Sequence, residues 1–279
     1  MATVSAALGT FDGLHEGHIG VLKSAILSGN AICVTFSYPP SEKDRAIIQP
    51  HVKLKRLKAM GFKEVISLDF KEVKDISPKQ FLDMLNQKYG VTNFCCGFDY
   101  RFGKGGMGNT ETLIKYCNDN RCTATVVPQY TRNGTKISST DIREFIESGE
   151  IEKANALLSE PYSLEMPVIH GDARGRTLGY PTLNQPLPSG ICKMKFGVYI
   201  SKVMFDGVTY KGITNVGVRP TYLSKTPLCE TYIIGFKGDA YGKTITLMPE
   251  KFVREEEKFH SVTELKNAIE HDVKIAEYY

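Results

Sequence analysis

The chain has 279 residues, with a hydrophobic fraction of 42% and a charged fraction of 24%, values typical of a globular protein. Its net charge of +4 is small and its basic residues are scattered, which argues against a nucleic-acid-binding protein. No apolar run approaches the ~18 residues that span a bilayer, and the basic start of a signal peptide is missing. We therefore expect two domains in a cytoplasmic protein, without nucleic-acid or membrane partners.

The seven cysteines contain no CxxC pair and no paired zinc-ligand spacing. Their number is odd, and Cys95 and Cys96 are adjacent, which is an awkward geometry for a disulfide. They predict free thiols in a reducing compartment, most of them buried as small hydrophobic side chains.

The first half alternates short apolar runs with helical patterns, which predicts crossover connections and a Rossmann-like parallel sheet. Ser77-Pro78 is typical of a helix start, with serine as the N-cap. The predicted strands are residues 1–8, 31–36, 64–68, 93–96 and 123–127, and the predicted helices are 18–28, 51–60, 78–88 and a helix capped by Ser138 or Ser139 that runs to 146.

The pattern changes near Pro161, where short β-rich runs separated by Gly, Pro and Asn begin. These runs predict an antiparallel barrel or sandwich, of which we expect the barrel, and Asp206-Gly207 between two of them predicts a hairpin turn. A final helix is predicted over residues 262–278. The fold class is thus α/β plus β, with an α/β domain over 1–160 and a barrel with a terminal helix over 161–279.

Two histidines follow the first predicted strand, in the segment of residues 9–18 that opens a helix. His15 and His18 are three residues apart and so lie on one face of a helical turn. A helix start favours phosphate, and two imidazoles beside a polyphosphate could donate hydrogen bonds during an in-line displacement. An ordinary surface helix start or half of a metal site would also explain the pair.

His15-Glu16-Gly17-His18 resembles the HxGH signature of nucleotidylyltransferases, as found in the N-terminal module of bacterial bifunctional riboflavin kinase/FAD synthetases. Residues 97–104 and 136–143 are similar to that family's G-x-D-F-x-F-G and I-S-S-T-x-I-R segments. The resemblance implies transfer of an adenylyl group from ATP to FMN. It implies His15 and His18 as catalytic residues and the following ligand contacts: Gly9, Phe11, Asp12, Gly13, Gly17, Asp99, Ser138, Ser139, Thr140 and Arg143.

Two observations keep alternatives open in this half. The serines at 138 and 139 also fit a plain helix cap. The family usually carries a histidine in a T-F-x-P-H-P segment, where this chain has Pro39. Proline has no side-chain hydrogen-bond donor, so a riboflavin kinase with a degenerate adenylyltransferase domain is an alternative to the bifunctional enzyme.

A glycine- and arginine-rich segment opens the second half. Residues 171–179 contain three glycines and two arginines, which suit a phosphate-binding loop, although a simple β-turn is the commoner outcome. Thr182 and Asn184 follow and would share one face of a strand. A hydroxyl and an amide on one face suit magnesium and phosphate oxygens.

This segment is similar to the nucleotide loop of riboflavin kinases, and residues 197–199, 215–221, 229–232, 241–243 and 252–259 follow that family in order. The resemblance implies magnesium-dependent phosphoryl transfer from ATP to the ribityl 5′-hydroxyl of riboflavin, in which Glu230 accepts the hydroxyl proton or orients the nucleophile. An exposed strand carboxylate is the alternative for Glu230. Asn184 is implied as a catalytic residue and Thr182 as the metal ligand, with the following nucleotide or flavin contacts: Gly171, Arg174, Gly175, Arg176, Gly179, Pro181, Thr182 and Arg254.

The remaining basic stretch, residues 53–58, predicts a solvated helix surface, and residues 255–258 predict a solvated charge run. The leading hypothesis is a bifunctional enzyme with riboflavin, FMN and ATP as small-molecule substrates. A kinase-only enzyme, a synthetase-only enzyme and a non-catalytic flavin-binding regulator are the alternatives. The oligomeric state is left open.

Overall fold

The computed structural model describes residues 3–41, 45–132, 135–171, 174–218 and 227–279, without the side chains of Arg132, Thr135 and Arg174. Contacts divide the chain into two compact units. The first unit is Met1–Ser139 with Leu157–Glu160, and the second is Thr140–Ala156 with Pro161–Tyr279. Residues 140–156 therefore pack with the C-terminal unit, whereas the sequence suggested one boundary at 160. The functional domain limits of 1–160 and 161–279 stay a prediction.

The first unit contains a five-stranded parallel sheet in the order β3-β2-β1-β4-β5. Its strands are β1 (Val4–Leu8), β2 (Asn30–Phe36), β3 (Glu64–Leu68), β4 (Val91–Gly97) and β5 (Thr123–Val127). Its helices are α1 (Glu16–Leu27), α2 (Pro50–Ala59), α3 (Phe70–Val73), α4 (Pro78–Tyr89) and α5 (Thr110–Asp119), and β6 (Thr131–Arg132) pairs with β7 (Thr135–Lys136). The predicted parallel α/β fold is confirmed.

The sheet is buried on both faces, as expected of parallel strands covered by helices. Ala6 and Phe94 lie in the core on one face, while Ala7, Cys33 and Cys95 lie in the core on the other. The seven cysteines are free thiols, and all but Cys122 are buried, which confirms their expected role as small apolar side chains.

Strand order places a ligand-binding edge in this unit. The chain continues from β1 to β2 toward one edge of the sheet and from β4 to β5 toward the other edge. The adjacent strands β1 and β4 therefore form the switch point where open parallel sheets bind ligands. Both strands end there, β1 at Leu8 and β4 at Gly97. The two segments singled out in the sequence, residues 9–18 and 97–104, therefore follow neighbouring strand ends.

The second unit contains an antiparallel sheet in the order β8-β13-β10-β11-β12-β9. A bridge between Ile169 and Asn184, with the amide of Ile169 donating to the carbonyl of Asn184 at 2.9 Å, brings its edges together and nearly closes the barrel. The strands are β8 (Leu164–Pro167), β9 (Thr182–Pro186), β10 (Gly197–Phe205), β11 (Val208–Gly217), β12 (Leu228–Ile233) and β13 (Thr244–Arg254). The helices are α6 (Ser139–Ser148), which starts in the first unit, α7 (Ile151–Leu157), α8 (Arg174–Thr177) and α9 (Val262–Tyr278).

The terminal helix α9 covers the outer face of the barrel. Its Ala276 packs against Val198, Ile200 and Ile213. Ser261 caps the helix by accepting a hydrogen bond from the amide of Glu264 at 3.1 Å. The predicted barrel with a terminal helix is confirmed, as is its hairpin turn: the φ angles of 47° at Asp206 and 78° at Gly207 are those of a primed turn.

Gly103 is required where the segment after β4 meets the start of α4. A Cβ at Gly103 would lie 2.7 Å from the backbone nitrogen of Pro78, and its φ of 70° is left-handed. Gly105 is also left-handed, at 62°, but nothing lies within 4 Å of its added Cβ. The two glycines also differ in ψ, which is −178° at Gly103 and 15° at Gly105, so Gly103 has a backbone conformation that is essentially restricted to glycine.

We predict that Gly103→Ala lowers the free energy of unfolding by about 1–3 kcal/mol more than Gly105→Ala does, because only the first change forces α4 to move. Gly105→Ala carries only the left-handed penalty of about 1–2 kcal/mol, whereas Gly103→Ala also places a side chain in a glycine-only conformation. Urea unfolding followed by circular dichroism measures the difference. Equal losses in the two variants would contradict the close approach of Gly103 to α4.

Candidate active sites

The loop after β1 is wound tightly around two buried side chains. Phe11 and Leu14 have left-handed φ angles of 49° and 48°, and each is only 1% exposed. Gly13, at 83°, lies between them, and a Cβ at Gly9 would lie 2.8 Å from the ring of Phe11. Burial of the two apolar side chains offsets the cost of this unusual backbone. Phe11 is thus part of the core, and its contact with a ligand stays a prediction.

The two histidines meet at the start of α1, which confirms that they share one face. His15 is the N-cap residue, and its ring stacks on that of His18 with 3.6 Å between centroids. Phe11 lies edge-on to His18 at 5.5 Å. The Nδ1 atom of His18 is buried and has no hydrogen-bond partner among the described residues. A contact between His18 and a ligand stays a prediction.

Burial lowers the pKa of His18 well below its usual value, and the charges of His15 and Lys53 lower it further. Near neutral pH the ring of His18 is therefore uncharged. A neutral imidazole carries one donor and one acceptor nitrogen, so it can donate a hydrogen bond to a phosphate oxygen without being a cation.

Lys53 corrects the sequence-based expectation of a solvated surface over residues 53–58. The side chain is only 1% exposed, and its ammonium donates to the carbonyl oxygen of Thr10 at 3.0 Å and to that of Phe36. It is buried because it shares the inward face of α2 with Val52 and Leu57. Burial lowers the pKa of Lys53 to about 8, although Asp12 and Cys33 act in the opposite direction.

Asp12 connects the loop to two other parts of the first unit. Its carboxylate is 2% exposed and accepts a hydrogen bond from the amide of Ile47 at 2.9 Å. Its carbonyl oxygen accepts from the hydroxyl of Ser139 at 2.8 Å. Ser139 is the first residue of α6, so this bond joins two of the three family-like segments. The contacts of Asp12 and Ser139 with a ligand stay predictions.

The family-like segment of residues 97–104 is joined to the segment of residues 136–143 through Asp99. Lys136 binds the carboxylate of Asp99 at 3.1 Å, and its ammonium lies 5.2 Å from the ring centroid of Phe98. Residues 9–18, 97–104 and 136–139 are thus connected within the first unit. Thr140 and Arg143 belong to the packing of the second unit, and phosphate binding by them and by Ser138 stays a prediction.

Strand register brings the predicted kinase residues together in the second unit. Asn184 on β9 is directly opposite Glu230 on β12, and Thr182 is opposite Tyr232. Directly opposed residues of antiparallel strands project to the same face. Thr182, Asn184 and Glu230 therefore share a face, as predicted for the first two. Asn215 on β11 is opposite Glu230 on its other side.

Asn184 provides a buried acceptor atom at this site. The residue is 3% exposed, and its Oδ1 has no hydrogen-bond partner among the described residues. A Cβ added to Gly171 would lie 2.3 Å from its Nδ2, so the glycine backbone covers the amide closely. A buried oxygen without a partner fits a ligand donor or a hard cation such as magnesium, which prefers oxygen ligands.

The glycine-rich segment folds into a helical turn rather than the simple β-turn considered above. Its described part contains α8, after which the amide of Tyr180 donates to the carbonyl of Gly175 at 2.8 Å. A Cβ at Gly175 would lie 2.3 Å from the carbonyl oxygen of Tyr180, and Gly179 has a φ of 88°. Arg176 and Pro181 are exposed. The side chain of Arg174 lies outside the described residues.

Arg254 makes a structural ion pair that the sequence did not suggest. Its Nε lies 3.2 Å from both carboxylate oxygens of Asp272 on α9, and its Nη2 lies 2.8 Å from one of them. Asp272 is 2% exposed. The pair fastens α9 to the end of β13, and a flavin or nucleotide contact by Arg254 stays a prediction.

Glu256 belongs to the stretch expected to be a solvated charge run, yet it has a specific partner. The side-chain amide of Asn215 donates to its carboxylate at 3.2 Å, and a Cβ at Gly217 would lie 2.0 Å from it. Asn215 was part of a family-like segment but was not singled out as a site residue. The rest of that segment, at 219–221, lies outside the described residues.

We predict that Asp272→Asn lowers the free energy of unfolding by roughly 3–5 kcal/mol, because it leaves the mostly buried charge of Arg254 without a counterion. Glu255→Gln is the matched control, since it breaks the exposed pair between Glu255 and Lys195, worth only about 0–1 kcal/mol. Urea unfolding measures both changes. Similar small losses would show that the buried pair does not hold α9.

Comparisons with known proteins identify a family for each half of the chain. Residues 2–141 match the model of the FAD synthetase family, and residues 158–279 match that of the riboflavin kinase family. A bifunctional riboflavin kinase/FMN adenylyltransferase of Bacillus subtilis (strain 168) is 36% identical, over 95% of this chain and 89% of the relative. One from Listeria monocytogenes is 35% identical, with the same two coverages.

A solved structure also resembles the whole chain. It is described as a macrolide-efflux protein from Streptococcus pneumoniae, with a TM-score of 0.89 and 28% identity over 99% of this chain and 94% of that one. Among the residues that the structure describes here, no helix is long and apolar enough to cross a membrane.

The resemblance inferred from the sequence motifs is therefore confirmed across both halves. The chain contains an FAD synthetase domain and a riboflavin kinase domain. With relatives at 36% and 35% identity that it covers over 89% of their length, it belongs to the bifunctional riboflavin kinase/FMN adenylyltransferase family.

Proposed function

We propose that this chain carries out two steps of flavin cofactor biosynthesis in the cytoplasm. The barrel unit phosphorylates riboflavin to FMN at the expense of ATP. The parallel α/β unit transfers an adenylyl group from ATP to FMN, which gives FAD and pyrophosphate. The observation that supports the first step most directly is the pairing of Glu230 with Asn184, whose buried oxygen lacks a partner within the described chain.

In the kinase step, Glu230 accepts the proton of the ribityl 5′-hydroxyl as that oxygen attacks the terminal phosphorus of ATP, and the bond from this phosphorus to the bridging oxygen breaks to release ADP. Thr182 and Asn184 lie on the same face and would hold magnesium and the phosphate oxygens with their side-chain oxygens. Bound magnesium would supply positive charge to the phosphates. The loop from Gly171 to Gly179 would cover the phosphates, with backbone amides and the arginines Arg174 and Arg176 as donors.

In the adenylyl transfer step, His15 and His18 donate hydrogen bonds to the phosphates of ATP. The start of α1 adds its backbone amides and the favourable end of the helix dipole. Charge that develops on the leaving pyrophosphate is stabilised by donors that are already in place. Ser138 and Ser139 would contribute further donors from the start of α6.

One observation favours a second candidate function, a riboflavin kinase with an inactive adenylyltransferase unit. Pro39 stands where the family usually has a histidine, and proline offers no side-chain donor to a phosphate. The two candidates differ only in FAD formation, so a direct assay separates them.

The test is a time course of riboflavin with ATP and magnesium, and a parallel reaction that starts from FMN. Chromatography should show FMN first and FAD later, and FAD directly in the parallel reaction. If FMN forms from riboflavin and FAD forms in neither reaction, only the kinase is active. If FAD forms from added FMN but riboflavin gives no product, only the synthetase is active. Tight flavin binding without product would indicate a regulator.

We predict that Glu230→Gln lowers riboflavin phosphorylation by roughly 100-fold or more, the usual contribution of a positioned base. Adenylylation of added FMN should be unchanged. Glu250→Gln is the control, because Glu250 is also a strand carboxylate of the barrel and is not one of the predicted site residues; it pairs with Lys202. Near-normal phosphorylation by Glu230→Gln would remove this residue from the mechanism.

We predict that His18→Ala lowers FAD formation by roughly 100-fold, since it removes a donor aimed at the reacting phosphates. Riboflavin phosphorylation by the same preparation reports whether the protein is intact. His51→Ala, an exposed histidine of the same unit, should leave both activities near the wild-type value. Unchanged FAD formation by His18→Ala would rule out the histidine pair as the catalytic site.

A further inference from the structure

The buried ammonium of Lys53 joins the ends of two neighbouring parallel strands. Thr10 lies two residues after β1, and Phe36 is the last residue of β2, which pairs with β1. Lys53 donates to the carbonyl oxygens of both. The first carbonyl belongs to the loop that carries His15 and His18, so the lysine contacts this loop from inside the unit.

Satisfying the carbonyl of Thr10 does not by itself explain a charged side chain here. The same oxygen also accepts a hydrogen bond from the hydroxyl of Thr35 at 2.8 Å, which is a neutral donor. Burying an ammonium costs several kcal/mol by rough estimate, so a neutral or apolar residue would be less costly at this position. In addition to hydrogen bonds, Lys53 provides a positive charge that is held in place behind the loop.

We propose that Lys53 is a positioning residue for adenylyl transfer, which holds the histidine loop against the end of β2 and places a positive charge behind it. This inference rests on the adenylyl transfer proposed above. The lysine acts through the loop and the histidines. It is distinct from the residues expected to touch the substrates.

The charged and titratable groups that face Lys53 are Asp12 on the loop, Cys33 on β2 and His18 on α1. Asp12 and Cys33 favour the protonated amine, while burial disfavours it more strongly. The positive charge of Lys53 in turn helps to keep His18 uncharged. Because the pKa of Lys53 is lowered to about 8, its charge is present below that pH and is lost as the pH rises through it.

Four variants separate the charge from the hydrogen bonds. Lys53→Met keeps the length of the side chain but removes the charge, and Lys53→Arg keeps a charge that does not titrate. Thr35→Val removes the neutral donor to Thr10 and leaves the ammonium in place. Lys55→Met removes an exposed lysine of the same helix.

We expect Lys53→Met to lower the kcat of FAD formation by roughly 10- to 100-fold, the size of effect that misplacing reacting groups produces. Riboflavin phosphorylation by the same chain should be unchanged. Lys53→Arg should retain most of the activity and lose the decline above pH 8 expected of the wild type. Thr35→Val and Lys55→Met should stay within a few-fold of the wild type.

A second readout does not depend on turnover. Nuclear magnetic resonance titration of the histidines, with His18 assigned from the His18→Ala spectrum, should show a higher pKa for His18 in Lys53→Met than in the wild type. If the wild type makes no FAD, the proposed adenylyl transfer fails, whereas this titration still tests the action of Lys53 on His18.

Wild-type FAD formation by Lys53→Met, together with an unchanged titration of His18, would overturn the inference. An equal loss of activity in Thr35→Val would show that hydrogen bonding to Thr10 matters and the charge does not. If Lys53→Met does not fold, the pH profile of Lys53→Arg decides. A profile that still declines above pH 8 would count against Lys53.

Discussion

Backbone carbonyls just beyond the ends of parallel strands have lost their strand partners, and when they are buried they must find donors elsewhere. The first unit meets this need with side chains brought from distant parts of the chain. The carbonyl of Thr10 accepts from Thr35 and Lys53, and that of Asp12 accepts from Ser139. These bonds fix the left-handed loop that presents the two histidines. The geometry of the candidate site therefore results from the way in which the backbone carbonyls at this sheet edge obtain hydrogen-bond donors.

The barrel meets a related requirement by pairing its edges. The bridge between Ile169 and Asn184 uses the backbone of Asn184, while its side chain remains directed to the face shared with Glu230. One residue thus helps to close the barrel and also supplies the buried oxygen of the site. A change that disturbs β9 would therefore affect closure of the barrel and the chemistry of the site together.

Much of the fold could be predicted from local sequence signals. Residues 64–68, 123–127 and 262–278 have the predicted bounds, and Ser77 forms a complete capping box with Gln80. The helix α5 was missed although Asn109 caps it in the ordinary way, by accepting from the amide of Thr112. Its signal was present in the sequence, since asparagine is a preferred N-cap residue.

The site was less accessible to sequence reasoning, because its geometry depends on contacts between distant residues. Glu230 and Asn184 are opposed only because β9 pairs with β12, which no local pattern specifies. The sequence predicted Lys53 as part of a solvated basic stretch. The spacing of apolar residues identifies the buried face of a helix, but it does not show which charged side chain has a hydrogen-bond partner in the core. The shared face of Thr182 and Asn184 needed only strand alternation, and it was predicted.

The packing of residues 140–156 has a consequence for how the two halves can be inherited or exchanged. Asn155 donates to the carbonyl of Pro249 and accepts from the amide of Tyr162, and the amide of Lys195 donates to the carbonyl of Ile146. A recombination event at residue 160 would transfer the barrel without Ile146 and Asn155, the residues that make these hydrogen bonds to it. The compact unit that contains the barrel therefore starts at the second residue of α6, inside a segment that resembles the synthetase family, and a cut at residue 160 would divide this unit.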